Sequence, residues 1–323
     1  MHFSNAETRQ LASAVQDIML SHFGQSSKLI QGNIVFHGGT ALKFVHGSSR
    51  FSEDLDFLLN RQAFGDEAGS LPETINDIMD KGLTKLSEEL LDRPGLDIDF
   101  AVNLHLKTGN RSWEPGHPGK YSIELSSPNR RGKIRTVCEF WPTNPEYLAN
   151  YESLQQAVPD NANAAVSCHD LIQTVEGRMY QDLPVASIEA ILADKFVALA
   201  NRDYLKWRDV YDVWYVMERM TPAPQIDGKF VERFQHHLTA YSGEGIQNPE
   251  SKLIAVAERI ESASIEEIGR GLSTFFTTME WNSIAEDSAQ RIKSSASTAC
   301  NRLAQELRLL SVESDRKLDA TPE

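Results

Sequence analysis

Apolar residues recur at helical spacing near the start of the chain, where Ala6, Leu11, Ala14, Val15, Ile18 and Met19 fall on one stripe. That period predicts a helix over residues 5–22, capped by Ser4 or Asn5. Ile34 to His37 reads as a short strand, Thr40 to Val45 as a helical turn or more, and Asp54 to Leu59 as a second strand. Leu71 to Leu91 is a long amphipathic helix with Gly95 marking its exit. From Leu96 the pattern changes to alternation: Ile98, Phe100, Val102, Leu104 and Leu106 share one face, and Tyr121, Ile123 and Leu125 another. Gly109, Pro115, Gly116, Pro118 and Gly119 make Thr108 to Lys120 a turn-rich loop. Ile134 to Phe140 is the next strand, ended by Trp141-Pro142, with Arg135, Val137 and Glu139 on one face.

After a linker-like stretch at residues 157–164, helical periods dominate. Ser187 caps a helix whose apolar stripe is Ile188, Ile191, Leu192, Phe196 and Leu199, with Lys195 off its centre. The next helix, Asp203 to Met220, buries Val210, Tyr211, Trp214 and Met217, and places Asp209 and Asp212 on one face. Ile292, Cys300, Leu303, Leu307 and Leu310 predict a terminal helix, followed by a disordered end from Ser314 to Glu323. The whole reads as an α+β chain, with a small mixed sheet in residues 1–160 and a helical domain in residues 161–323.

Length and composition agree with that division. A chain of 323 residues, 41% hydrophobic and 24% charged, is an ordinary globular protein of about two domains. The start carries no basic region and no apolar run approaches a membrane span, so the expected location is the cytoplasm, with no membrane partner. Cys138, Cys168 and Cys300 are too few and too scattered for a disulfide framework or a structural zinc site. The net charge of −14 argues against a broad basic surface for nucleic acid. It leaves room for a local one, and Arg130, Arg131, Lys133 and Arg135 are the candidate, the alternative being a charged hairpin in solvent.

The chemistry concentrates in two runs, Phe36-His37-Gly38-Gly39-Thr40-Ala41-Leu42 and Arg50-Phe51-Ser52-Glu53-Asp54-Leu55-Asp56-Phe57. A strand points Asp54 and Asp56 the same way and Leu55 and Phe57 into the core. Two carboxylates held side by side repel, and a hard divalent cation such as Mg²⁺ relieves that repulsion. Without side chains, Gly38 and Gly39 let backbone amides approach a triphosphate, and a helix opening at Thr40 turns its positive end toward that anion. Ser52, on the face of Asp54, is placed to bond a terminal phosphate. Asp97-Ile98-Asp99-Phe100 repeats the carboxylate spacing without a glycine pair before it and reads as a solvated strand face. His37 reads as structural rather than catalytic.

Taken with Lys195 and the run Lys206-Trp207-Arg208-Asp209-Val210-Tyr211-Asp212, these motifs resemble the minimal nucleotidyltransferase superfamily, and within it the AbiEii/AbiGii toxin family that includes the MenT-type toxins. The resemblance covers roughly residues 30 to 220 in four ordered blocks. It implies a nucleotidyltransferase fold and a two-metal Mg²⁺ site on Asp54 and Asp56, with nucleoside triphosphate as substrate. It implies Glu139 as a third acid and Lys195 as a phosphate contact. Asp209, or Asp212 in its place, would orient Lys195 or the incoming hydroxyl. It further implies a toxin, held by a cognate antitoxin, that adds nucleotides to the tRNA 3′ end and blocks translation. The competing readings are transfer to a protein acceptor and a catalytically silent binding protein of the same fold.

Overall fold

In a strand, neighbouring residues face opposite ways, so a sheet in register becomes alternating rows of core and surface. Two such rows organise this protein. Phe36, Phe57 and Phe140 lie opposite one another on adjacent strands, and the next row is His37, Asp56 and Glu139. The first row packs ring against ring, Phe57–Phe140 stacked and Phe36–Phe57 tilted, each with centroids 5.3 Å apart, and Phe23 closes on Phe57 edge-on at 5.1 Å. Truncating a buried phenylalanine of this kind costs about 3–5 kcal/mol, so the aromatic row also locks the register of the polar row beside it.

The computed structural model describes residues 2–30, 34–60, 62, 70–90, 101–108, 113, 117–143, 147–148, 151, 153–155, 183–242, 246–277, 280–281 and 287–319. The chain divides into two compact units, Met1–Ser187 and Ile188–Glu323. The α+β class and mixed sheet expected from the sequence are present. The boundary falls after Ser187 because the short strand just before it pairs in the sheet.

In the first unit the elements are α1 (Asn5–Gly24), α2 (Ser27–Ile30), β1 (Ile34–His37), α3 (Gly38–Phe44), β2 (Asp54–Asn60), α4 (Ser70–Glu89), β3 (Asn103–Thr108), β4 (Gly119–Ser127), β5 (Arg130–Thr143), β6 (Ser153–Gln155) and β7 (Pro184–Ala186). The sheet order is β3-β4-β5-β2-β1-β7-β6, with β2–β5 and β1–β7 parallel and the other pairs antiparallel. A reciprocal capping box starts α1: Glu7 N–H donates to Ser4 Oγ at 3.1 Å and Ser4 N–H to the Glu7 carboxylate at 2.6 Å. Strand β5 is twice the expected length and passes through Trp141-Pro142. Proline is tolerated there because pairing with β4 ends at Phe140, while Thr143 still bonds the Leu59 carbonyl at 2.8 Å. Asp97, Asp99 and Cys168 lie outside the described residues.

The second unit contains α5 (Ile188–Asn201), α6 (Trp207–Arg219), α7 (Gly228–Ser242), α8 (Pro249–Ser262), α9 (Ile265–Leu272), a 3₁₀ turn (Ser273–Phe275) and α10 (Asp287–Asp319). Leu253, Val256, Ala257 and Ile260 of α8 are buried, as are Ile292, Ala296, Cys300 and Leu303 of α10. Two boundaries differ from expectation. Helix α6 begins at Trp207 rather than Asp203, because Arg259 donates to the carbonyls of Asp203 at 2.7 Å and Arg202 at 3.5 Å and holds that stretch out of the helix. The chain stays helical to Asp319 where a disordered end from Ser314 was expected. Extending an existing helix adds one hydrogen bond per residue ordered and avoids the nucleation cost, so a charged sequence continues it. Among the described residues no helix is long and apolar enough to cross a membrane.

Candidate active site

Strand β1 ends at His37 and the chain turns through Gly38, whose φ of +78° is open to glycine at little cost. Neighbouring side chains add a second demand. A Cβ on Gly38 would sit 2.4 Å from Asp56 Oδ2, and one on Gly39 would sit 2.3 Å from the Arg50 guanidinium and 3.0 Å from Ser52 Oγ. The glycine pair is therefore the floor against which the carboxylate, the guanidinium and the hydroxyl lie. Arg50 is 1% exposed and donates to the Phe51 carbonyl at 2.9 Å. Nothing in its spacing announced that burial.

Three contacts fix this loop to its surroundings. Thr40 is fully buried and its hydroxyl donates to the Asp54 carbonyl, so it ties α3 to the start of β2 instead of facing solvent. Gln16 on α1 donates to the Ser52 carbonyl at 2.7 Å. Lys43 donates to Ser13 Oγ at 2.8 Å and lies over the rings of Phe44 and Phe51 at 4.9 and 5.0 Å.

Register decides which residue of β5 joins the carboxylates. Asp54 lies opposite Val137 and Asp56 opposite Glu139, on strands about 4.8 Å apart. Cys138 points to the other face, wholly buried beside Leu55. Burial first, and then the charges of Asp54, Asp56 and Glu139, push its thiol far above the ordinary range, so it is no thiolate ligand. Glu139 is paired with Lys120 of β4, its register partner, at 2.6 Å. Among the described residues no group of three or more His, Cys, Asp or Glu side chains is gathered closely enough to hold an ion. The donor chemistry nonetheless fits a hard divalent cation: carboxylate oxygens only, on one face, in a row where a cationic ammonium already lies against Glu139.

In the second unit, Lys195 of α5 reaches two carboxylates of α6, Asp209 Oδ1 at 2.9 Å and Asp212 Oδ2 at 2.8 Å. Asp209 also accepts from Arg202, so one carboxylate bridges two cations. All three members of the lysine group are buried, at 9%, 3% and 0% exposure for Lys195, Asp209 and Asp212. Burial alone would raise the Asp209 pKa, but Lys195 and Arg202 outweigh it and hold the carboxyl well below the usual carboxylate range. Spacing alone would leave charges on a helix in solvent; here they form a buried network. Beside it, His237 Nδ1 and Asp194 Oδ1 are 2.7 Å apart. Arg202 stands just past the end of α5, where no periodic signal points to a partner on the next helix.

The glycine turn and the paired carboxylates thus belong to the first unit and the buried lysine network to the second. Residues 26–294 match the family described as nucleotidyl transferase AbiEii toxin of type IV toxin–antitoxin systems, and the chain belongs to that family. Membership makes it an enzyme of that class and implies a nucleoside triphosphate substrate and a cognate antitoxin. No curated protein matches the chain. Among solved structures it is similar to JHP933 from Helicobacter pylori, at 12% identity over 97% of this chain and 100% of that one, with a TM-score of 0.46. It is also similar to MenT4, a nucleotidyltransferase toxin from Mycobacterium tuberculosis H37Rv, at 17% identity over 92% and 95% of the two chains, with a TM-score of 0.37.

Proposed function

We propose that the protein is a Mg²⁺-dependent transferase that moves nucleotides from a nucleoside triphosphate to the 3′ acceptor end of tRNA and thereby blocks translation. The observation that carries the reading is the placement of Asp54, Asp56 and Glu139 on one sheet face, with Asp56 lying against the Gly38 turn. Asp54 and Asp56 would hold the divalent ion, with Glu139 as the third carboxylate of the set. Bound there, such ions supply charge neutralisation for the triphosphate and the departing pyrophosphate.

The chain's own groups take the remaining tasks. Gly38 and Gly39 give the phosphate chain close access to backbone amides, and Ser52, held through its carbonyl by Gln16, presents its hydroxyl to a terminal phosphate. Thr40 acts through the backbone it anchors, since its hydroxyl is committed to the Asp54 carbonyl. By the family resemblance Lys195 would contact the phosphates, and within its own unit Asp209 and Asp212 hold its ammonium in place. A strongly depressed Asp209 is a poor proton acceptor near neutral pH, which favours the holding role over that of a general base.

The tRNA acceptor follows from the family resemblance. One observation favours a protein acceptor as the second reading: the basic segment of β5 is largely neutralised, with Arg130 bonded to Glu7 at 3.1 Å and Lys133 to Glu124 at 2.8 Å. The experiment is to incubate the protein with Mg²⁺, total tRNA, total cell protein and each radiolabelled nucleoside triphosphate in turn. Label on tRNA, lost in Asp54→Ala and Asp56→Ala, is the expected result. Label on a polypeptide selects the second reading. Absence of label together with absence of nucleotide binding by calorimetry would leave a silent binding protein of this fold.

A further inference from the structure

The carboxylate row does not end at Glu139. Read across β4, β5, β2 and β1, the register partners are Lys120, Glu139, Asp56 and His37. Lys120 stands 2.6 Å from Glu139, and the pair differs in setting: the lysine side chain is 42% exposed and the glutamate 16%. A long, half-exposed stem can leave without disturbing packing, whereas the glutamate stays on the sheet face beside Asp56. The ammonium thus sets a positive charge against one carboxylate of the row, Glu139.

We propose that Lys120 is a displaceable counter-ion of the candidate metal site: Glu139 pairs with Lys120 when no ion is bound, and an ion at Asp54 and Asp56 draws Glu139 away and releases the ammonium. This rests on the metal reading given above and adds a positioning residue to it. The physical basis is competition for one anion. A doubly charged cation attracts a carboxylate more strongly than a half-exposed ammonium does, and a solvent-accessible lysine regains its hydration on release. The exchange keeps the orientation of Glu139 defined in both states. It also sets a threshold for ion entry, because the ion must outcompete a resident partner.

The test reads metal binding directly, using Mn²⁺ as the probe and electron paramagnetic resonance of the free ion as the measure. If the two cations compete, Lys120→Gln should tighten Mn²⁺ about two- to fivefold, the worth of a half-exposed ion pair. The same substitution in a Glu139→Gln background should change Mn²⁺ affinity by less than half of that factor, since the contested anion is gone. Mn²⁺ binding that Lys120→Gln leaves unchanged or weakens would overturn the exchange while the metal reading stands. Equal tightening with and without Glu139 would also overturn it, reducing Lys120 to a distant repulsive charge. No Mn²⁺ binding in wild type, Lys120→Gln or either background would overturn the metal reading and the exchange with it. Circular dichroism of each variant separates these results from loss of fold.

Discussion

Lys195 is held by two carboxylates and one of those carboxylates by a second cation, and the order of damage on mutation follows from that arrangement. Asp209→Asn removes the carboxylate that bridges Lys195 and Arg202, whereas Asp212→Asn leaves that bridge in place. Asp209→Asn should therefore reduce stability and turnover more, read by urea denaturation and by single-turnover transfer. The reverse order would show that Asp212 is the residue that orients the lysine. Lys195→Met removes the cation shared by two buried acids, and breaking a buried pair costs about 3–5 kcal/mol; Lys195→Gln should not restore transfer, because the charge is what phosphates need. The network also sets an acid limit. Asp209 has a depressed pKa when folded, so its contribution is complete above its ordinary value of 3.8 and disappears as pH falls below it toward the depressed one. Asp209→Asn should accordingly flatten the acid limb of a stability–pH curve.

At the level of elements, the outer strands carry a second charge relay. Glu124 on β4 accepts from Lys107 of β3 at 2.7 Å and from Lys133 of β5 at 2.8 Å, bridging three strands. Those two lysines pull its pKa from 4.5 to about 2. A depressed carboxylate stabilises the fold above its unfolded value and loses that effect as pH falls through the folded one. Glu124→Gln should therefore be less stable than wild type above about pH 4.5, and the gap should close toward pH 2. A gap independent of pH would assign the loss to packing instead. Arg130 belongs to this level too: it bonds Glu7, the acid of the α1 capping box, so Arg130→Ala should loosen the start of α1 as well as remove a charge.

For the whole molecule, net charge of −14 sets the terms on which it meets a polyanion. If tRNA is the acceptor, expression in bacteria should arrest growth and Asp54→Ala should abolish the arrest, because the damage would be chemical. Arg131 is exposed and its neighbours Arg130 and Lys133 are spent on acids, so Arg131→Ala is the cleaner probe of RNA contact. It should lower tRNA labelling, more at low salt than at high, and leave nucleotide binding intact. Unchanged labelling in Arg131→Ala at all salt concentrations would remove the β5 segment from the RNA surface.

Local sequence determined what depends on neighbours in the chain. The glycine turn, the alternation that aims Asp54 and Asp56 together, the capping Ser4 and the helical stripes were all legible because period and turn chemistry act over a few residues. The choice between Glu139 and Cys138 was not legible, since a strand shifted by one residue reverses every side chain and register is set by packing such as the Phe36, Phe57 and Phe140 row. Burial of Arg50, the commitment of Thr40 to the Asp54 carbonyl, the Lys120–Glu139 pair and the grip of Asp212 and Arg202 on the lysine network likewise belong to tertiary structure. Thr40 and Asp54 stand 14 residues apart and Lys120 and Glu139 19, and folding rather than spacing joins them. A one-dimensional pattern records which side chains can share a face; only the folded chain decides which charges become one another's partners, because that depends on which strands and helices are brought side by side.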